Sequence, residues 1–461
     1  MIVFGFFKGI LFCSYHYLSY LCRKFEEKKM EITELYDIYK SHPVITTDSR
    51  DCPKGSIFIA LKGESFDGNK FAAAAIEKGC AFVVVDEKEY YVDGDKRYIL
   101  VDNCLKTFQL LAREHRSRFN IPVIGITGTN GKTTTKELVS AVLSQRYNVL
   151  FTQGNFNNDV GVPKTLFRLS KEHEIAVVEM GASHPGDIKT LVDIVEPQYG
   201  IITNVGMAHL QGFGSFEGVV STKGELYDFL RENKNSKVFI DAGNRHLMDI
   251  ATGLELVEYG TVENHRLKVR GQVVSCAPLL KFRWTDGNEW HVVQTHLIGS
   301  YNIMNMLAAA CIGLEFGVTP EQIDTALSSY TPSNNRSQLT ETACNHLIVD
   351  AYNANPTSMM AALKNFRDME VSPKMAILGD MRELGESSAV EHQKIADFLS
   401  ESGLDNVWLV GEEFKKTNCR FRKFNDIEEV KAALEANKPS GYFILIKGSN
   451  GIKLFQLPEL L

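Results

Sequence analysis

Apolar and polar positions along this chain follow two registers, and the places where they switch mark out the fold. Short apolar runs that end in a polar or glycine residue read as strands buried on both faces. Residues 56–61 and 81–85 are the first, with an alanine-rich helical stretch at 70–78 between them. Residues 121–124 form another strand, and helical spacing follows at 137–143. Strands at 175–179 and 200–204 flank a helix at 187–195. Strands separated by helices at this spacing predict a parallel sheet. From 265 to 297 the period falls to two (Leu267, Val269; Trp290, Val292), which predicts an antiparallel insert, and helix returns at 301–316. After Tyr330-Thr331-Pro332, four apolar runs (347–350, 376–380, 407–411 and 443–448) alternate with helical patterns. They predict a second doubly wound, Rossmann-like unit with functional residues at strand C-terminal ends. The expected organisation is α/β with three domains, at 30–117, 118–331 and 332–461.

Residues 1–29 break the pattern. The stretch from Ile2 to Leu21 is apolar and aromatic but interrupted by Lys8, Ser14, His16 and Ser19. Basic residues follow it rather than precede it, unlike a signal peptide, and it is not clean enough for a membrane helix. Met30 is the expected start of the first domain, with 1–29 an extension of doubtful relevance. A chain of 461 residues with 44% hydrophobic and 23% charged positions fits a multidomain globular protein. The net charge of −7 argues against a general nucleic-acid binder. Nine cysteines without paired C-x-x-C spacing suit a reducing cytoplasm and give no zinc pattern. No stable membrane insertion is expected, and a monomer is.

The most informative stretch is Gly125-Ile126-Thr127-Gly128-Thr129-Asn130-Gly131-Lys132-Thr133-Thr134-Thr135, between a strand and a helix. Glycines let backbone N–H groups close around phosphate oxygens, and the helix N-terminus adds partial positive charge. Lys132 would reach the terminal phosphates, and Thr133 would hold magnesium through its hydroxyl. The loop is Gly-x-x-Gly-Lys-Thr, two residues shorter than the standard phosphate loop, since Ile126 stands where that pattern needs glycine.

Several other candidates sit at or just past the ends of predicted strands. Glu179 suits a magnesium ligand, or equally a helix cap or salt-bridge partner. His209 lies past the next strand, where a structural role and a ligand role both remain open. Lys223, read alone, is a solvated surface lysine. Ser49 and Arg50 can bind a diphosphate or carboxylate. Asp350, in Asp350-Ala351-Tyr352-Asn353-Ala354-Asn355-Pro356, suits a ribose; the alternative is an Asn-Pro turn with a helix cap. Arg336 is a surface arginine or one that meets a phosphate across a cleft.

Together these residues resemble the Mur ligase family of cell-wall peptide synthetases, from Met30 to the C-terminus. The short loop, Glu179, Asn204-x-Gly206-x-x-His209, Asn302-x-x-Asn305, Arg336 and Asp350 fall in the family's order. Residues 350–359, with Leu378-Gly379-Asp380-Met381-x-Glu383-Leu384-Gly385-Glu386, most resemble the branch that adds D-alanyl-D-alanine to UDP-N-acetylmuramoyl-tripeptide. The resemblance implies a UDP-binding first domain, a central ATPase domain and a third domain for the incoming dipeptide. It implies that Gly128, Thr129, Asn130, Gly131, Lys132, Thr133 and Thr134 hold ATP, with Asn302 at adenine, Asp350 at the ribose and Arg336 reaching across the cleft. Thr133, Glu179, His209 and a carbamylated Lys223 would surround magnesium, two ions in all. Ser49, Arg50, Asn155 and Asn158 would meet the uridine substrate. Lys132, Glu179, His209 and Lys223 would be catalytic. The implied reaction joins a carboxylate to an amine through an acyl phosphate. A ligase of the same family adding a single amino acid, or one acting on folates, is the alternative.

The chain departs from the family pattern at three places. Tyr301 replaces a frequent His before Asn302, Asn69 replaces a common His after Asp67-Gly68, and Asn450 stands where Arg is frequent. A nucleotide switch without ligation is the rival from another class, and a switch needs no third domain.

Overall fold

The structure is a computed structural model and describes residues 30–332 and 338–461. The extension at 1–29 and Arg336 lie outside the described residues. The chain divides into two compact units between Arg118 and Phe119.

The first unit carries a four-stranded sheet: β1 (Ile45–Thr46), β2 (Ile57–Ile59), β3 (Phe82–Val85) and β4 (Tyr98–Leu100), in that order and all parallel. Val83, Val84 and Val85 are sealed from solvent, as an apolar run in a parallel sheet requires. The predicted helix at 70–78 is a 3-10 turn, Gly68–Phe71, running into an α-helix, Ala72–Lys78, that Gly79 ends in the left-handed conformation. Helix Cys104–Arg116 starts on an Asn103 side-chain cap and buries Phe108, Leu111 and Ala112.

The second unit holds two sheets. The larger has nine strands: β5 (Val123–Thr127), β6 (Val149–Phe151), β7 (Ile175–Glu179), β8 (Tyr199–Ile202), β9 (Lys237–Asp241), β10 (Glu255–Gly260), β11 (Val269–Cys276), β12 (Leu279–Thr285) and β13 (His291–Ile298). Their order is β13-β12-β11-β10-β9-β8-β5-β7-β6. Strand β5 lies between β7 and β8, both parallel to it. The order therefore reverses beside the phosphate loop, where open α/β sheets form their ligand crevice. The predicted antiparallel insert is present as β11–β13. Because β11 pairs in parallel with β10, these strands extend the same sheet.

Two buried helices cover the loop end of this sheet. Lys132–Leu143 begins at Gly131, and Ile303–Glu315 is apolar on almost every side. They approach closely at Gly313, where an added Cβ would stand 2.5 Å from a Val142 methyl. The predicted helix at 301–316 thus starts later, after a 3-10 turn at Ser300–Asn302.

The last sheet has order β14-β15-β19-β16-β17-β18, from β14 (Gln338–Glu341), β15 (His346–Asp350), β16 (Lys374–Gly379), β17 (Asn406–Val410), β18 (Arg422–Phe424) and β19 (Phe443–Lys447). All are parallel except the edge strand β14. Apolar layers cover both faces, with Met359, Leu363 and Phe366 on one and Val430, Leu434 and Leu457 on the other. Among the described residues, no helix is long and apolar enough to cross a membrane.

Candidate active site

The phosphate loop is built by glycines that nothing else could replace. Gly128 has φ 139°, and a Cβ there would stand 2.1 Å from the Thr203 hydroxyl. Gly131 has φ 77° and caps helix Lys132–Leu143, with Asn305 Oδ1 2.8 Å from its would-be Cβ. The segment after β8 braces the loop from beside it. Thr129 N donates to Asn204 O (2.9 Å) and Asn130 N to Asn204 Oδ1 (3.0 Å). Asn130 O accepts from Thr203 Oγ1 (2.7 Å) and Asn204 Nδ2 (2.9 Å). Lys132 Nζ donates to Gly128 O (2.8 Å) and Thr129 O (3.1 Å), so its ammonium sits over the loop. Thr134 lies in the first turn of the helix.

At the foot of the loop, Thr133 Oγ1 donates to Glu179 Oε1 (3.1 Å), joining the first helical turn to the end of β7. Asn157 Nδ2 donates to the same oxygen (2.7 Å). Glu179 is fully buried, and its other oxygen, Oε2, is sealed from solvent without a hydrogen-bond partner. A buried carboxylate oxygen left bare is costly, and a divalent cation held with the Thr133 hydroxyl would satisfy it. The residues present therefore fit magnesium. Among the described residues, Glu179 bonds to the Thr133 and Asn157 side chains rather than to a basic side chain or a helix-start amide.

Lys223 corrects its isolated reading as a solvated lysine. It is 2% exposed on helix Phe216–Glu232, with Nζ 3.4 Å from Ala182 O and 5.2 Å from the centre of the Phe213 ring. Burial, then the nearby charge of Lys132, pushes its ammonium well below the usual lysine range, while Asp187 and Glu225 pull the other way. Among the described residues, no three His, Cys, Asp or Glu side chains converge as a ready metal cluster.

His209 has φ 51° and caps the short helix Leu210–Phe213. Its Nδ1 lies 2.5 Å from Glu383 Oε2, a contact in which the ring N–H is not aimed squarely at the oxygen. Glu383 belongs to the third domain, as does Asn355, whose Nδ2 donates to Asn130 Oδ1 (2.7 Å). Asn355 also caps helix Pro356–Asp368 through Ser358 N (2.9 Å). The Asn-Pro turn is therefore a helix cap and a bridge to the phosphate loop at once. Asp350 Oδ2 meets the buried Lys447 Nζ at 2.5 Å.

Asn302 is buried, with Nδ2 donating to Ile298 O (2.8 Å) and Oδ1 accepting from Asn305 Nδ2 (2.8 Å). Asn305 in turn accepts from Thr135 Oγ1 (3.1 Å), so this pair supports the loop from below. Beside it opens a cavity of about 740 Å³ between β11, Tyr301 and helix Pro356–Asp368, with Lys364 and Asn365 on its wall. Asn155 and Asn158 are exposed, and Asn158 Oδ1 accepts from Gly161 N (2.8 Å). The middle asparagine, Asn157, is the one that reaches Glu179.

In the first unit, Ser49 and Arg50 follow β1. Arg50 forms a forked pair with Asp48 (2.9 and 2.7 Å) and is largely exposed. Ser49 O accepts from Lys78 Nζ (2.6 Å). Asn69 is buried and ties Asp67 to Asp86, at 3.0 and 2.8 Å from its Nδ2. Lys62 pairs with Glu87 beside them.

Three family profiles match this chain: the Mur ligase family catalytic domain at residues 43–116, the Mur ligase middle domain at 126–313 and the Mur ligase glutamate ligase domain at 335–450. A relative from Bacillus subtilis, named UDP-N-acetylmuramoyl-tripeptide–D-alanyl-D-alanine ligase, is 35% identical and aligns over 90% of this chain and 92% of its own. The chain belongs to the Mur ligase family. A solved Mur ligase, MurF from Acinetobacter baumannii, superposes with a TM-score of 0.82 at 29% identity, covering 90% of this chain and 92% of that one. MurF from Thermotoga maritima, solved with ADP, also gives 0.82, at 26% identity over 90% of this chain and 96% of that one.

Four groups at this Mur ligase site escape a sequence reading: Asn157, Asn355, Glu383 and Lys447. Asn157 carried a local signal in its asparagine-rich loop, Asn355 in the Asn-Pro turn and Glu383 in the 378–386 motif, but none of these signals named a partner. Asn355, Glu383 and Lys447 meet partners far away in the chain.

Proposed function

We propose that this Mur ligase joins D-alanyl-D-alanine to UDP-N-acetylmuramoyl-tripeptide at the expense of ATP, giving the pentapeptide precursor of peptidoglycan. The observation that carries the ligase reading is the buried Thr133–Glu179 pair beneath the short phosphate loop, with Glu179 Oε2 bare. The choice of substrates rests on the relatives' names and on the 350–359 segment.

A carboxylate is a poor electrophile because its charge repels nucleophiles. The free carboxylate of the tripeptide attacks the γ-phosphorus of ATP, and the bond from that phosphorus to the bridging oxygen breaks to release ADP. The acyl phosphate so formed has lost the carboxylate's charge and gained a leaving group. The amine of the dipeptide then attacks the carbonyl. The tetrahedral intermediate collapses to the amide, expels phosphate and gives up the amine proton.

Lys132 and the loop amides hold and neutralise the transferred phosphoryl group. Gly128 and Gly131 let the backbone come close enough to do so. Thr133, Glu179 and His209 would hold magnesium, and a carbamylated Lys223 would help place a second ion. Bound there, magnesium supplies charge stabilisation for phosphoryl transfer. Asn302 serves the adenine from beside the cavity, and Asp350 the ribose. Arg336 belongs to the same third domain, whose contact at Asn130 keeps water from the acyl phosphate. In the first domain, Ser49 and Arg50 bind the uridine diphosphate; in the central domain, Asn155 and Asn158 serve the loop near the phosphates. The protein works as a monomer in the cytoplasm.

Heavy oxygen in the tripeptide carboxylate tests the route. The account expects one labelled oxygen in each released phosphate. Unlabelled phosphate, with amide product still formed, would rule out the acyl phosphate.

A further inference from the structure

Glu383 has no role in the reaction as described, yet it makes a close contact between the third domain and the central one. Its carbonyl accepts a hydrogen bond from Gln211 N (3.2 Å), and its Oε2 lies 2.5 Å from His209 Nδ1. Both partners pay for this in backbone geometry: His209 has φ 51° and Glu383 has φ 65°, left-handed conformations that side-chain-bearing residues seldom adopt. Gly385, at φ 55°, lets the third-domain turn pack against Gln211, with its would-be Cβ 3.6 Å from the Gln211 Cα. The His209 ring also stands edge-on to Phe213, at 6.2 Å and 90°. Two groups from different domains thus flank one imidazole, whose Nδ1 is sealed from water and faces the Glu383 carboxylate at 2.5 Å without an aligned hydrogen bond.

We infer that Glu383 is the positioning residue for His209: it holds Nδ1, sets the tautomer that leaves a lone pair on Nε2, and so makes His209 a competent magnesium ligand only when the third domain is docked. A carboxylate behind a ligating histidine fixes its ring and raises its basicity, which a hard cation such as magnesium needs from nitrogen. Docking of the third domain would then complete the metal site as well as cover it. The inference rests on the reading of His209 as a metal ligand.

The test uses the full chain with Mn²⁺ as probe and a non-hydrolysable ATP analogue, reading free Mn²⁺ by electron paramagnetic resonance. In E383A, Mn²⁺ affinity should fall about tenfold, while metal-free nucleotide affinity stays within about twofold. E383Q, whose amide oxygen can still accept from Nδ1, should recover most of the loss. Nitrogen NMR of His209 should report the Nδ1–H tautomer in the parent chain and lose it in E383A. Glu383 has a side chain 56% exposed, so neither variant removes core packing. H209A separates the two layers. If H209A weakens Mn²⁺ binding and E383A does not, the positioning role is overturned and the metal role of His209 stands. If H209A leaves Mn²⁺ affinity unchanged, His209 is no ligand and both fall. Parallel losses in H209A and E383A support the inference.

Discussion

Single side chains at this site trade stability for chemistry. Glu179 is the clearest case, because a bare carboxylate oxygen is buried at the end of β7 with only Thr133 and Asn157 on its other oxygen. Without a cation that arrangement is unfavourable. Glu179→Gln should therefore leave the metal-free protein equally stable or raise its stability by about 1 kcal/mol. The same change should cut turnover by about a hundredfold or more. Thermal melting in chelator and steady-state rates check both; a clear loss of stability in chelator would show that the carboxylate is satisfied by the protein alone. Lys223 makes a second prediction. Its burial beside Lys132 favours the neutral amine, the form that adds carbon dioxide and gives up a proton to become a carbamate. Labelled bicarbonate should give a carbamate carbon signal by NMR that disappears in Lys223→Met. A parent chain with no such signal would leave the second metal without that ligand. The sequence made Lys132, Thr133 and Glu179 legible because the first two follow a strand within a glycine loop and the third ends one. It hid the burial of Lys223, since nothing in Ser221-Thr222-Lys223-Gly224 shows that Phe213 and Ala182 close over the amine.

Among the elements, helix Ile303–Glu315 matters most, since it carries Asn305 to the underside of Gly131. Glu315 anchors its far end, pairing with Lys237 of β9 (2.7 Å) and with Lys268. Burial raises the Glu315 carboxyl, but the hydrogen bonds from Lys237 and Lys268 outweigh it and hold the carboxyl below its usual range. A group with a depressed folded pKa stabilises above its unfolded pKa and loses that contribution as pH falls through the folded value. Glu315→Gln should thus cost about 1 kcal/mol at neutral pH, a modest figure because both lysines remain partly in water. The gap should close as pH falls below the ordinary carboxylate range. Denaturant titrations across pH check this, and a gap that widens in acid would contradict the sign. Elements of this sheet were unequally legible. Strands β5, β7 and β8 announce themselves as apolar runs bounded by polar residues. The two-residue period at β11–β13 was equally plain, but its attachment was not, because pairing of β11 with β10 depends on contacts that periodicity does not encode.

At the scale of the whole molecule, the third domain meets the central one at the phosphate loop through Asn355 on Asn130 and Glu383 on His209 and Gln211, and away from the loop through Asn365 on Ser300 and the packing of Ile298 into the third domain's core. Each contact at the loop sits at a strand end or a helix start, where the sequence placed functional residues without saying which would touch. The resemblance supplied the order of the motifs, and the strand order supplied the reason they converge: β5 lies between β7 and β8, so three loops share one crevice. The central claim is that this crevice couples ATP cleavage to amide formation between two particular substrates. Phosphate release from ATP with UDP-N-acetylmuramoyl-tripeptide, measured with and without D-alanyl-D-alanine and with the product weighed by mass spectrometry, tests it most directly. The account predicts release only with both, and a product with the mass of the UDP-pentapeptide. No turnover with that pair, but turnover with a single amino acid or a folate, would contradict it.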